Sequence, residues 1–344
     1  MKSPLISVII ATYKRADDLD RAIQSVRDEP GDYFEIVVGD DGSPDHTPQI
    51  VAKHAGDPRV RTYRNDVNLG MQENYLKIAH FAQGRYLFIL TDDDYLLPGA
   101  IAKVKHVIEA QPKVDYIFSD LPSLDERTNQ ILDVHRTYPI DTLAPAGLAT
   151  VEHSVRSAWV LSRQVLRREA IDWATWEKFR RNIFFPIIFA GRLMLHGPSY
   201  YLADRLVIHT FFNQVHWHKF GRNELDIEFN LAADRFACMR AILYDQPSSL
   251  EVTRIIDTWE MNSFRSYLYL EWRGYYDLVQ AIGRSAADDK LRAIYHLDTP
   301  EYRDELGRFW QQARTWRFKI QLKAQARRLP ASWRVKLRAL RGRA

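Results

Sequence analysis

The chain is poor in cysteine, in long apolar runs and, near its end, in acid. A single cysteine, Cys238, among 344 residues excludes an internal disulfide framework and fits a reducing compartment. The most apolar window, Ile183 to Leu195, contains Pro186 and Arg192 and is shorter than a membrane span. No transmembrane helix is therefore expected. The N-terminal run Leu5 to Ile10 is too short, and too soon followed by polar residues, for a secretory signal. No Cys/His spacing suited to zinc occurs. After Glu305 there is no Asp or Glu, while twelve Lys or Arg fall between Leu306 and Ala344. The net charge of +4 thus conceals an acidic body, with 36 basic against 44 acidic side chains over residues 1–305, and a strongly basic tail. Such a tail points to an anionic partner.

What is present is a pair of acidic clusters, each closing an apolar run. The first is Glu35-Ile36-Val37-Val38-Gly39-Asp40-Asp41-Gly42-Ser43; the second is Tyr86-Leu87-Phe88-Ile89-Leu90-Thr91-Asp92-Asp93-Asp94. Continuous apolar runs read as buried parallel strands, and ligands bind at the carboxyl ends of such strands. Three successive aspartates repel one another, and a cation is a natural compensation. For one such cluster alone, an acidic loop capping the next helix is the better reading. Two within the first hundred residues favour a nucleotide and metal site.

Around these clusters the pattern alternates strand and helix. Strands are predicted at Leu5–Ile10, Phe34–Val38, Val60–Tyr63, Tyr86–Leu90 and Val114–Phe118. Helices are predicted from Asp17 or Asp18 to Arg27, over Pro48–His54, over Met71–Phe81, and from near Pro98 to Glu109. This alternation implies an α/β fold with a mostly parallel sheet covered on both faces. Residues 121–220 are broken by Pro122, Pro139, Pro145 and Gly147. From Leu225 the chain reads as helical: Asp226–Leu243, Leu250–Leu270, Tyr275–Ile282 and Asp288–Tyr295.

Four segments in order resemble the family 2 glycosyltransferases of GT-A (Rossmann-like) fold, and abequosyltransferase-like enzymes of bacterial surface polysaccharides among them. They are Ile6 to Arg15, Asp40-Asp41-Gly42-Ser43-Pro44-Asp45, Asn68-Leu69-Gly70, and Thr91-Asp92-Asp93-Asp94-Tyr95-Leu96-Leu97-Pro98. The resemblance is good over residues 4–120, fair to about 210 and absent beyond. It implies a GT-A domain over 1–220, with a nucleotide-sugar half at 1–120 and an acceptor half at 121–220. A helical region at 221–305 and a basic tail at 306–344 would follow. It further implies a nucleoside diphosphate sugar donor contacted by Thr12, Tyr13, Arg15, Asp41, Asn68, Gly70 and Asp92. Asp93 and Asp92, with His209, would hold Mn²⁺ or Mg²⁺, hard cations suited to carboxylate and phosphate oxygens. Asp94 is set below its two neighbours, as a group orienting nearby backbone. His209 would be delivered by a strand around Leu206-Val207.

One part of the family pattern is missing. Inverting members carry an acidic residue ahead of a glycine, as the base that deprotonates the acceptor. Aligned on Arg192 and Gly197, that place falls on Phe185-Pro186, and no Asp or Glu lies between Lys178 and Tyr201. Three explanations stay open: a histidine base, with His153, His209, His216 and His218 as candidates and His209 and His153 preferred; a retaining reaction in which the leaving phosphate takes the proton; or a binder without turnover. Among the tryptophans of the acceptor half, Trp159 is the choice for a sugar-stacking floor. Arg192 is the other acceptor candidate.

The tail repeats apolar residues at helical spacing among its cations: Leu306, Phe309, Trp310, Ala313, Trp316 and Ile320, then Trp333, Leu337 and Leu340. Basic amphipathic helices with tryptophan suit an anionic membrane surface. A helix packing this stripe on its own domain is the competing reading for 306–320. No nucleic-acid fold accompanies the charge, so no nucleic acid is expected as partner. The expectation is a metal-dependent glycosyltransferase, cytoplasmic and peripheral at the inner face of the plasma membrane. It would move a hexose or deoxyhexose from its nucleotide donor to a saccharide acceptor, lipid-linked, in surface-polysaccharide assembly. A soluble small-molecule acceptor is the alternative.

Overall fold

The computed structural model describes residues 3–125, 130–211, 224–265, 268, 279 and 283–311. Contacts divide the chain into two compact units: residues 1–224 with 237–256, and residues 225–236 with 257–344.

The first unit is built on a mixed, mostly parallel sheet. Its strands are β1 (Ile6–Thr12), β2 (Phe34–Asp40), β3 (Val60–Arg64), β4 (Tyr86–Ile89), β5 (Tyr95–Leu96), β6 (Tyr116–Asp125), β7 (Gln130–His135), β8 (Thr142–Ala144), β9 (Val165–Arg167), β10 (Ser199–Arg205) and β11 (Val207–Phe211). The strand order is β3-β2-β1-β4-β9-β6-β10-β8. The β1, β2, β3 and β4 pairings are parallel, and β9 enters antiparallel between β4 and β6. Every residue of β1, β2 and β4 is buried, as strands covered on both faces require. On one face Val8, Ile10, Ile36, Val38 and Phe88 join a core with Leu19, Ile23 and Val26 of α1 (Ala16–Arg27). Ile101, Val104 and Ile108, from a later helix over Ala100–Ala110, complete it.

Between these lie α2 (Thr47–His54) and α3 (Met71–Phe81); the helix over Ala100–Ala110 is α4. On the opposite face α3 comes so close that a Cβ on Gly39 would meet Ile78 Cγ1 at 2.7 Å. Only a glycine lets helix and strand approach this far. Asp17 and Asp18, read as the start of α1, lie within its first turn, while Arg15 holds the cap position. There they still favour the positive end of the helix dipole. Within residues 121–220 come α5 (Leu148–Ser154), a 3-10 turn over Val155–Trp159, α6 (Trp173–Phe179) and α7 (Phe185–His196).

The second unit has its own core of Phe236, Phe264, Leu291, Tyr295, Tyr302 and Phe309. Leu306 and Trp310 pack against it. Buried Glu305 accepts from Arg265 Nε at 3.0 Å and Arg308 Nη2 at 2.6 Å. The first members of the amphipathic stripe therefore serve this unit's interior, the packing reading of the two held open for residues 306–320. Ala313, Trp316, Ile320, Trp333, Leu337 and Leu340 lie outside the described residues, as do most of the predicted helix 275–282 and the histidines His216 and His218. Among the described residues no helix is long and apolar enough to cross a membrane.

Candidate active site

The carboxyl ends of β1, β2 and β4 bring their loops to one edge of the sheet. After Thr12, Lys14 takes the left-handed conformation (φ 58°), which a non-glycine residue rarely adopts. Its N–H donates to Ser43 Oγ at 3.0 Å, fixing the β1 loop to the β2 loop. Arg15 follows at once and reaches across to β4.

The β2 cluster is spent on local architecture. Asp40 accepts from Ser43 N at 2.9 Å and Arg64 Nη1 at 2.5 Å. Asp41, only 2% exposed, accepts from Asn65 Nδ2 at 2.8 Å and Leu69 N at 2.9 Å through Oδ1, and from Gly70 N at 2.8 Å through Oδ2. It thereby shapes the Asn68-Leu69-Gly70 turn that opens α3. Gly42 (φ 70°) sits where a Cβ would touch the Val67 carbonyl carbon at 3.0 Å, so the two loops need glycine there. Asn68 itself is exposed in the turn, and Tyr13 is half-buried at its strand end.

The β4 cluster is organised differently. Thr91 is held by Ser162, whose Oγ lies 2.8 Å from Thr91 N and 2.7 Å from its Oγ1. Asp94 is fully buried and accepts from Thr210 N at 2.8 Å, while His209 Nδ1 lies 3.2 Å from each of its oxygens. Strand β11 brings these partners, because it pairs with β5 directly after the triplet. Asp94 thus ties the β4 loop to Thr210 and His209 of β11. Asp92 and Asp93 share one counter-ion: Arg15 Nη1 bonds Asp93 Oδ2 and lies 3.4 Å from Asp92 Oδ1. Arg21 Nη2 donates to the Asp93 carbonyl oxygen at 3.2 Å instead.

The electrostatics follow. Burial pushes the Asp92 carboxyl up, to about 7, with Arg15 opposing. Burial acts on Asp93 in the same sense, but Arg15 and Thr91 outweigh it and hold the group below its ordinary value. Burial disfavours the His209 cation, yet Asp94 and Asp93 prevail and raise it. Tyr75 of α3, buried among the three aspartates, has its phenol pushed far up by burial and by their charge.

Of the predicted residues, the structure brings together Arg15, Asp92, Asp93, His209 and Trp159. The Trp159 ring stands edge-on to His209 with centroids 6.4 Å apart, and it is 49% exposed. Arg192 does not join them. It is buried within α7, bidentate to Asp245 (2.6 and 2.8 Å), with further bonds to Ile242 O and Asp172. Its guanidinium clamps α7 to a later segment, which corrects its assignment to the acceptor. His153 is exposed on α5 and packs on Tyr138, 4.7 Å between centroids. Tyr138 leads in turn to Tyr201, whose hydroxyl donates to buried Asp120, itself paired with Arg136 at 3.1 Å. This second cluster was not foreseen. Phe185, in the place of the absent acid, is buried against Tyr75, 6.1 Å between centroids.

Among the described residues no three Asp, Glu, His or Cys side chains form a ready-made metal cage. The Asp92 and Asp93 carboxylates nonetheless fit Mg²⁺ or Mn²⁺ as part of a ligand set, since such ions commonly take only one or two carboxylates and draw the rest from phosphates and water.

Residues 7–168, a little under half of the chain, match the glycosyl transferase family 2 model. The Campylobacter jejuni GalNAc(5)-diNAcBac-PP-undecaprenol beta-1,3-glucosyltransferase is 34% identical over 101 residues, 29% of this chain and 33% of that protein. The chain spans about a third to a half of the length of the curated relatives it matches. The fold is GT-A-like. Staphylococcus aureus TarS 1–349, solved with UDP-GlcNAc, superposes with a TM-score of 0.63 at 17% identity, over 90% of this chain and 91% of that one. The Pyrobaculum calidifontis mannosyltransferase PcManGT, solved with GDP-Man and Mn²⁺, gives 0.52 at 14% identity, over 88% and 83%.

Proposed function

We propose that this chain, which carries a glycosyl transferase family 2 region over residues 7–168 in a GT-A fold, is a metal-dependent glycosyltransferase. It uses a nucleoside diphosphate sugar and transfers a hexose or deoxyhexose to a saccharide hydroxyl. One observation carries the reading: adjacent carboxylates, Asp92 and Asp93, stand at the end of a parallel strand, at the same sheet edge as Asp41, with an arginine between them. A divalent cation held by Asp93 and Asp92 would neutralise charge developing on the departing diphosphate. Asp41 has used three of a carboxylate's roughly four acceptor positions, leaving Oδ2 able to take one further hydrogen bond from a base. Trp159 offers an exposed ring against which a sugar face packs.

With Phe185-Pro186 in the place of the usual acid, we assign the acceptor's proton to His209, fixed through Nδ1 by Asp94. Retention of the donor's anomeric configuration would instead assign it to the leaving phosphate, and NMR of the product anomer decides between them. An undecaprenyl-linked acceptor in the name of the Campylobacter relative supports a lipid-linked acceptor here. With the basic tail, it also supports a peripheral place at an anionic membrane. Flotation on phosphatidylglycerol vesicles at low and high salt tests that placement, since screening should release the protein.

The test of the activity is release of nucleoside diphosphate from a panel of UDP- and GDP-sugars with Mn²⁺ and with EDTA. Donor turnover lost in EDTA is expected. Undiminished turnover removes the metal, and the absence of any stabilisation by these donors in thermal shift removes the donor site.

A further inference from the structure

Arg15 pairs with the same two carboxylates that would hold a metal. Its Nη1 bonds Asp93 Oδ2 and approaches Asp92 Oδ1 at 3.4 Å. Those side chains are 30% and 11% exposed, so a new cation would reach Asp93 first. The neighbouring Arg21 is bonded to the Asp93 carbonyl oxygen and therefore does not stand in the same place. The backbone that carries Arg15 is set by the left-handed Lys14 and its bond to Ser43. Movement of the guanidinium is thus a matter of side-chain rotation, with no rearrangement of the loop.

We propose that Arg15 is a resident counter-ion that a divalent metal must displace from Asp93, and that the displaced guanidinium then engages the donor's diphosphate, so that metal and donor bind cooperatively. The inference rests on the glycosyltransferase reading above. Two cations cannot share one carboxylate oxygen at close range without strong repulsion. Metal binding to the free protein therefore includes the loss of the Arg15 ion pair. A guanidinium set free from a carboxylate finds an equivalent planar partner in a phosphate, to which it can bind bidentately. Diphosphate thus compensates for the ion pair that the metal breaks. Because coupling between two ligands is reciprocal, the metal should tighten nucleotide by the same factor that nucleotide tightens metal.

The experiment titrates Mn²⁺ into the full chain, read by the EPR signal of free Mn²⁺, alone and with saturating UDP or GDP. Wild type, Arg15→Gln, Arg15→Lys and Arg21→Gln are compared, with circular dichroism to verify folding. Wild type is expected to bind Mn²⁺ weakly alone and at least about tenfold more tightly with nucleotide, in keeping with ordinary coupling magnitudes. Arg15→Gln should bind Mn²⁺ alone roughly five- to tenfold more tightly than wild type and lose most of the nucleotide enhancement. Arg15→Lys, which keeps the charge without the planar fork, should fall between and serves if the glutamine variant does not fold. Arg21→Gln should not gain. Equal or weaker Mn²⁺ affinity in both Arg15 variants overturns the proposal while leaving the metal site standing. A gain in Arg21→Gln as large as in Arg15→Gln also overturns it, because the effect is then general charge. No Mn²⁺ binding by any of the proteins, with or without nucleotide, overturns the metal reading and this inference with it.

Discussion

The acidic clusters that end β2 and β4 look alike in sequence and are wired in opposite ways. Asp40 and Asp41 take most of their hydrogen bonds from backbone N–H groups of the adjoining turns, with Arg64 added on Asp40 and the Asn65 side chain on Asp41. Asp92 and Asp93 are balanced by one arginine from another strand end, 77 and 78 residues away. Carboxylates bonded to backbone are part of the scaffold. A carboxylate bonded to one long side chain can exchange that partner for a ligand. On the function proposed above, the first cluster would shape the donor site and the second would be where charge changes hands.

That contrast is tested most severely at Asp93. Asp93→Asn should lower transfer by about 10³-fold, the scale of losing a principal electrostatic contact to the leaving group, with the melting temperature little changed. Retained activity, or unfolding, would place Asp93 with the scaffold instead.

Asp41→Asn should show the reverse balance. Three hydrogen bonds from the Asn65–Gly70 segment converge on this carboxylate, so stability should fall by about 1–3 kcal/mol. A group that shapes the donor pocket acts alike in ground and transition states. KM for donor should therefore rise about tenfold with kcat largely kept. A pure kcat effect with unchanged melting would erase the distinction between the clusters.

Trp159→Ala should be milder. The ring is half-exposed beside His209 and supports neither cluster. Loss of a stacking surface is worth about 1 kcal/mol, so acceptor KM should rise roughly fivefold while donor binding, measured by calorimetry, stays the same. Equal weakening of donor and acceptor would move Trp159 to the donor side.

The parts of this design that were legible in the sequence are those written locally. Strands β1, β2 and β4 and helix α3 could be read because apolar runs ended on turn residues, and α3 matched its predicted span. The strand that carries His209 was expected from the family resemblance around Leu206-Val207 and is found as β11. Strand β6 was read as stopping at Phe118 and in fact runs to Asp125, through Ser119, Asp120 and Pro122. Its partners change from β9 and β10 to β7 and β11 along the way, and pairing supplied from elsewhere in the chain sustains a strand that its own composition would end. Lys14 gave no sign of its left-handed backbone, since the conformation is imposed by the bond to Ser43. The ion pair of Arg15 with Asp92 and Asp93 was not foreseen, because it spans distant segments and leaves no spacing signature. Arg192 was misread for the same reason: its carboxylate partner lies 53 residues later.

Arg192 and Asp245 therefore supply the control for a charge pair that does only structural work. The Arg192 guanidinium is 7% exposed and Asp245 is 38% exposed. The bond from Arg192 holds the Asp245 carboxyl well below the usual carboxylate range. A group depressed in the folded state adds stability that is fully present above its unfolded pKa, about 3.9, and is lost as pH falls below that toward the folded value. Asp245→Asn should then cost about 1 kcal/mol at pH 7, discounted from a fully buried pair because solvent screens the exposed carboxylate. The difference from wild type should shrink steadily below about pH 4, where wild type loses the same contribution by protonation. Donor and acceptor KM should not move, since the pair is spent between α7 and residue 245. Urea melts at pH 7 and pH 3, with KM values alongside, measure all three. A stability gap that is the same at both pH values, or a raised KM, would show that this pair is not the passive clamp its burial describes.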